Sequence, residues 1–224
     1  MLKHFKYLLT LIGSRLSDAG LMQIQASVNY LRTGRWFRDH SFTIGRRVRS
    51  AQDVWTVVID RVRNKKVLYL EFGVASGESM KYWSRELKHP DAMLHGFDSF
   101  EGLPADGGPW RKGQFDTMGR IPEIHDPRVR FFKGWFDQVL PSYSIPAHEV
   151  MVVFMDADLY SSTICVFRHL RPHIKRGTYI YFDEMNHPEH EPRAFDEFIR
   201  ESGLQFKLVA VDMTMAFCCF ECLG

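Results

Sequence analysis

The chain has 224 residues, which is enough for one domain with a full hydrophobic core. Its hydrophobic and charged fractions, 45% and 25%, exclude a disordered or fibrous protein. The formal net charge of +2 provides no basis for expecting a nucleic acid or an acidic membrane as a partner.

Residues 1–50 are predicted to form an N-terminal helical cap. Within it, Phe5, Leu8, Leu9, Ile12 and Leu16 recur at helical spacing, so we expect an amphipathic helix that packs on the domain or on a partner. Such a helix would allow the chain to form a homodimer. The apolar stretch is too short for a secretory signal or a membrane span, so we expect neither.

Residues 51–224 are predicted to form the main domain, because short apolar runs alternate there with helical patterns. Strands that are apolar throughout are typical of a parallel sheet covered by helices on both faces, which is an α/β fold. We expect helices over 51–63, 78–87, 163–173 and 192–202, and seven strands over 67–72, 93–97, 129–132, 150–155, 178–182, 206–211 and 215–220.

Residues 99–128 interrupt this alternation with five glycines and four prolines. A loop of this length inside a compact domain is usually functional or disordered. The aromatic residues Phe100, Trp110 and Phe115 lie between the glycines and prolines, and they favour a packed lid over a pocket.

The turn after the first strand of the main domain has small residues at Gly73, Ala75 and Gly77. Small side chains let a ligand approach the backbone, and the free N–H groups of the following helix can receive its carboxylate. Asp98 ends the second strand, where a carboxylate can accept both hydroxyls of a ribose. A glycine-rich turn without a ligand is the alternative for this motif.

Trp135 follows the third strand, where a flat adenine would lie, and it could equally be a core residue. The glycine spacing differs from the G-x-G-x-x-G pattern and therefore disfavours a nicotinamide-dependent reductase. The predicted cofactor-binding residues are Glu71, Gly73, Ala75, Ser76, Gly77, Asp98, Ser99, Gly134, Trp135 and Asp156.

Acidic residues follow the next two strands, with Asp156 after one and Asp183 and Glu184 after the other. Because the carboxyl ends of neighbouring parallel strands meet about 4.8 Å apart at one edge, these side chains can converge. Crowded carboxylates favour a hard divalent cation such as Mg²⁺ between them. Acidic N-caps of the following helices are the alternative.

Asp158 and His187 are the candidate catalytic residues. Alternation at an extended strand end would return Asp158 to the side of Asp156, from which it could take a proton as general base. His187 could line the pocket of a small-molecule acceptor or assist proton removal, and a polar loop histidine is the alternative.

Five segments of the sequence resemble the macrocin O-methyltransferase family: EFGVASG at 71–77, GFDSFEGLP at 96–104, KGWF at 133–136, DADLYSST at 156–163 and FDE at 182–184. The resemblance implies a Rossmann-like class I methyltransferase fold. It also implies methyl transfer from S-adenosylmethionine to a sugar hydroxyl of a secondary metabolite, with Mg²⁺. By the same resemblance, Asp156 is a metal ligand, Asp158 is the base, and Asp183 and Glu184 complete the metal ligands where the family has two aspartates.

Two further alternatives stay open for the function. The hydroxyl could belong to a catechol-like phenol, which also chelates a metal through paired oxygens. The domain could instead bind S-adenosylmethionine without turnover.

The four cysteines, Cys165, Cys218, Cys219 and Cys222, lack the spacing of a disulfide framework or of a complete zinc site. We expect buried thiols that pack as small hydrophobic groups. This cysteine usage is typical of a protein in the reducing cytoplasm.

Overall fold

The computed structural model describes residues 2–224. Seven α-helices and one short 3₁₀ helix (Leu140–Ser142) alternate with eight strands. The α-helices are α1 (Leu2–Gly13), α2 (Asp18–Asp39), α3 (Ala51–Val62), α4 (Glu78–Glu86), α5 (Phe136–Val139), α6 (Tyr160–Leu170) and α7 (Glu191–Ser202). The strands are β1 (Arg46–Val48), β2 (Val67–Phe72), β3 (Met93–Asp98), β4 (Val129–Lys133), β5 (Val150–Met155), β6 (Tyr179–Phe182), β7 (Phe206–Asp212) and β8 (Cys218–Cys222).

The strands form one sheet in the order β1-β7-β8-β6-β5-β2-β3-β4, which is parallel except for β8. The prediction of an α/β fold with a mostly parallel sheet is therefore confirmed. The sheet has an eighth strand because β1, within the predicted N-terminal cap, pairs with β7. Three residues, of which only Val48 is buried, are too few to show strand periodicity in the sequence.

Helices cover both faces of the sheet, and successive residues of a strand serve opposite faces. In β2, Leu68, Leu70 and Phe72 belong to the core beneath α6 and α7, whereas Val67 and Tyr69 belong to the core beneath α3 and α4. Every residue of β2 is buried, which explains why the strand reads as a continuous apolar run with one acid.

The N-terminal helix does not pack on the domain. No residue of α1 is buried, so of the two alternatives expected for this helix, packing on a partner stays as a prediction. Only the end of α2 contacts the core, through Phe37, the half-buried Trp36 and the buried hydroxyl of Thr33, which donates to the carbonyl oxygen of Met185. Among residues 2–224, none of the helices combines the length and apolar character that a membrane crossing requires.

The last strand begins three residues later than predicted, because Asp212 holds a turn before it. The carboxylate of Asp212 accepts hydrogen bonds from the backbone N–H groups of Thr214 and Phe217. Within β8, Cys218, Cys219 and Cys222 are buried free thiols, as predicted.

Candidate active site

A cavity of about 810 Å³ lies at the carboxyl ends of the central parallel strands. It collects residues from the ends of β2, β3, β5 and β6, which is the edge where ligands bind in open α/β sheets. Ten of the predicted site residues line it: Gly73, Ala75, Asp98, Ser99, Gly134, Trp135, Asp156, Asp158, Asp183 and Glu184.

Gly73 permits three strand ends to meet at the cavity. Its φ of +92° favours glycine, and a Cβ at this position would overlap the carbonyl oxygen of Asp156. Its N–H donates to the carbonyl oxygen of Phe97, and the N–H of Asp156 donates to that of Phe72. The turn after β2 is thus fastened to the ends of β3 and β5.

Asp98 organises the turn from the end of β3. Its Oδ2 accepts hydrogen bonds from the N–H groups of Val74 and Ala75 at 2.7 and 2.8 Å, and its Oδ1 accepts one from Phe100 at 2.7 Å. Since a carboxylate offers about four lone-pair sites, Asp98 can hold the turn and still accept a hydroxyl of a ligand.

Three predicted cofactor residues do not line the cavity. The carboxylate of Glu71 is fully buried and accepts hydrogen bonds from the hydroxyls of Tyr69 and Ser79 at 2.7 and 2.5 Å. Strand alternation places Glu71 on the same face as Tyr69, beneath the turn. Ser76 is exposed at the outside of the turn, and Gly77 is buried against Pro122.

Trp135 lines the cavity directly before α5, and the N–H of Gly134 beside it donates to the carbonyl oxygen of Asp98. The backbone directly before Trp135 is therefore held at the end of β3, the strand that carries Asp98. This arrangement suits a ligand that combines a ribose with a flat ring.

Four carboxyl groups share the other part of the cavity lining. Burial raises the pKa of Asp156 to about 6. A hydrogen bond with Asp183 opposes this shift, and the charge of Asp98 adds to it. Two causes act on the other three acids, burial most strongly and then the charge of Asp156. They raise the pKa of Asp158 to about 8, that of Glu184 to about 7, and that of Asp183 well above its ordinary value. Carboxyl groups this close cannot all ionise without a compensating cation.

The acidic cluster fits a divalent cation in one specific respect. The carboxyl groups of Asp183 and Asp156 are within hydrogen-bonding reach of each other. One oxygen of this pair, Asp183 Oδ1, is nevertheless buried and has no hydrogen-bond partner. Oxygen ligands of this kind suit Mg²⁺. Within residues 2–224, however, no group of three or more His, Cys, Asp or Glu side chains is arranged so that it could hold a metal ion.

Asp158 reaches the cavity by a different route from the one predicted. The strand ends at Met155, and Asp158 has a φ of +56°, so a left-handed turn and not strand alternation brings its side chain next to Asp156. A non-glycine residue in this conformation is strained, and such strain is typical of functional sites. The buried carboxylate with its raised pKa is a stronger base once ionised.

His187 lies behind the cavity lining, with its Nε2 3.3 Å from Glu184 Oε2. Burial, followed by the neighbouring His190, lowers the pKa of His187 to about 4, so the imidazole is neutral at neutral pH. The buried indole of Trp110 packs on both rings, at centroid distances of 4.5 Å to His187 and 5.0 Å to His190. The structure thus places His187 as a contact of Glu184 and of the segment 99–128.

Sequence reasoning missed Glu191, the first residue of α7. It is fully buried, and its carboxylate accepts hydrogen bonds from the N–H groups of Ala157 and Glu184. Burial, followed by the charge of Asp156, raises its pKa well above the ordinary value. An acid in a first helical turn is common, so the sequence carries no signal of this burial.

A protein-family model described as Macrocin-O-methyltransferase (TylF) matches residues 39–219. The chain is 29% identical over 152 residues to an 8-demethyl-8-(2,3-dimethoxy-alpha-L-rhamnosyl)-tetracenomycin-C 4'-O-methyltransferase from Streptomyces olivaceus, covering 58% of this chain and 56% of that protein. It is 30% identical over 127 residues to a mycinamicin III 3''-O-methyltransferase from Micromonospora griseorubida, covering 55% and 47%. The match therefore spans about half the length of these relatives.

Solved structures share the fold. The O-methyltransferase NovP aligns with a TM-score of 0.56 at 22% identity and covers 78% of both chains. CalS11, a TDP-rhamnose 3'-O-methyltransferase, aligns with a TM-score of 0.52 at 21% identity and covers 76% of both chains. The Rossmann-like class I methyltransferase fold expected from the sequence is confirmed.

Proposed function

The chain belongs to the macrocin O-methyltransferase family, and from this premise we propose that it moves the methyl group of S-adenosylmethionine onto a sugar hydroxyl of a secondary metabolite. The observation that carries the proposal is the shared cavity, which the glycine turn with Asp98 and the carboxyl cluster both line. One curated relative is named for a rhamnosyl-bearing substrate, which supports a sugar as acceptor.

The donor's residues are those at the ends of β2, β3 and β4. We assign the adenine to the indole of Trp135, the ribose to Asp98, and the close backbone approach to Gly73. Glu71 supports this site from beneath, because its hydrogen bond from Ser79 fixes the start of α4.

The acceptor's residues are the acids that follow β5 and β6. Asp156, Asp183 and Glu184 are the residues that would hold a divalent cation. The sulfonium of S-adenosylmethionine would supply an activated methyl group, and the cation would supply positive charge that lowers the pKa of the acceptor hydroxyl.

Asp158 takes the proton in this reaction. Its ionised carboxylate accepts the hydroxyl proton, the acceptor oxygen forms a bond to the methyl carbon, and the carbon–sulfur bond breaks to leave S-adenosylhomocysteine. Positioning contributes most of the remaining acceleration, since the methyl group is already activated.

Methyl-transfer assays with S-adenosylmethionine test the proposal. We expect a methylated product with rhamnosylated polyketides in the presence of Mg²⁺, and loss of most product after treatment with a chelator. Product with catechols alone would assign a phenol acceptor. Cofactor binding without product from any hydroxyl compound would assign a non-catalytic domain.

Two variants test the assignment of residues to donor and acceptor. Asp156→Asn should abolish methyl transfer and leave the affinity for S-adenosylmethionine within about twofold. Asp98→Asn should weaken cofactor binding roughly tenfold, because its amide nitrogen would face backbone donors. Isothermal titration with the cofactor measures the affinity of each variant, and equal losses of affinity in the two variants would contradict the assignment.

A further inference from the structure

Glu191 joins the two loops that carry the acidic cluster. Its Oε1 accepts from the N–H of Ala157 at 3.4 Å, and its Oε2 accepts from the N–H of Glu184 at 3.2 Å. Ala157 lies between Asp156 and Asp158, and Glu184 directly follows Asp183. One carboxylate therefore holds the backbone next to each acid of the cluster.

The sheet does not provide this connection. The register between β5 and β6 ends at Met155 and Phe182, so the acids lie beyond the last paired residues of these strands. Loops beyond a strand pair need other hydrogen bonds to fix their separation. The Glu191 carboxylate supplies one to each loop.

The burial of Glu191 indicates that this residue does more than stabilise the first turn of α7. An acid in the first turn stabilises a helix from an exposed position, whereas a fully buried carboxylate is costly unless its oxygens are paired. Glu191 does not line the cavity, so it is a support of the cluster and not one of its cavity-facing members.

From this geometry we propose that Glu191 is a positioning residue that sets the separation between the carboxyl groups of Asp156 and Asp183, and thereby the affinity of the cluster for a divalent cation. The proposal rests on the proposed function, which places the cation at these residues. Partners behind metal ligands commonly contribute 10- to 100-fold to metal affinity.

Titration with Mn²⁺, followed by electron paramagnetic resonance, tests the proposal in the full chain. Glu191→Gln keeps the shape of the side chain but turns one of its two acceptors into a donor that faces an N–H group. We expect about tenfold weaker Mn²⁺ binding, with the affinity for S-adenosylmethionine within about twofold. Glu197→Gln is the matched control, since Glu197 lies on the same helix and pairs with Tyr160 and Arg168.

A second variant separates the reach of the side chain from its carboxyl chemistry. Glu191→Asp keeps a carboxyl group but is one methylene too short to reach both loops, so it should also bind Mn²⁺ about tenfold more weakly. If Glu191→Asp binds Mn²⁺ as the unmodified chain does, the reach of the side chain does not matter and the positioning role is overturned.

Amide hydrogen exchange at Ala157 and Glu184 provides a readout without metal. We expect faster exchange at both amides in Glu191→Gln and no change in Glu197→Gln. Unchanged exchange, or faster exchange with unaltered Mn²⁺ affinity, would overturn the proposal. If the unmodified chain binds no Mn²⁺, the metal part of the proposed function fails, and that titration alone identifies this outcome.

Discussion

His95 lies in the buried part of β3, with its Nδ1 2.6 Å from the hydroxyl of Tyr143. Burial, followed by the charge of Arg130 on the neighbouring strand, lowers its pKa from 6.5 to about 4. The unfolded chain therefore takes up the proton first as the pH falls. The stability that the neutral His95 contributes is fully present above about pH 6.5 and is lost progressively as the pH falls to about 4.

We expect this histidine to contribute about 2 kcal/mol to the pH dependence of the unfolding free energy. Urea unfolding of the unmodified chain and of His95→Gln, from pH 7 to pH 4.5, measures it. Glutamine retains an acceptor for Tyr143 and does not titrate, so its curve should fall less steeply. Parallel curves would show that His95 is not the source.

The sequence predicts the site residues whose position is fixed by the end of a strand, and it misses those that are positioned by contacts between distant elements. Asp156, Asp183 and Glu184 lie directly at strand ends, so the strand assignment alone brought them to one edge. The sequence predicts that Glu71 binds the cofactor, but its place in the alternation of β2 puts its side chain beneath the turn. Glu191 reaches the cluster because α7 packs beside α6 and its first residue meets the loops after β5 and β6, which no local pattern encodes.

At the scale of elements, β2 and β5 have the bounds expected from the sequence, because each is a fully or almost fully buried apolar run. The segment 99–128 contains neither a helix nor a named strand and is held by its own backbone bonds, such as the pair between Gly107 and Trp110. Its description as a lid over the cavity stays a prediction.

The anchor of this segment is Trp110, whose ring is buried against His187 and His190. We expect Trp110→Ala to release the segment, raise KM for the acceptor several-fold and speed proteolysis within 99–128, because the indole's packing is lost. Ile121→Ala is the control, since Ile121 is an exposed residue of the same segment. Equal proteolysis rates in the two variants would contradict an anchoring role for Trp110.

At the scale of the whole molecule, α1 and the first half of α2 present apolar side chains that no other part of residues 2–224 covers. Leu2, Phe5, Leu8 and Leu9 are each more than half exposed. A 12-residue helix is marginal on its own, and a contiguous apolar surface of this kind marks an interaction site. We propose a second copy of the chain as the partner, with the two α1 helices burying this surface.

Light scattering after size-exclusion chromatography tests this association. The unmodified chain should elute with twice the mass of one chain, and the double variant Phe5→Glu, Leu9→Glu with the mass of one, because buried unpaired charges oppose the contact. Lys6→Glu changes an exposed charge on the same helix and should leave the dimer intact. A monomeric unmodified chain would contradict the dimer, and binding of that monomer to lipid vesicles would assign the apolar surface to a membrane interface instead.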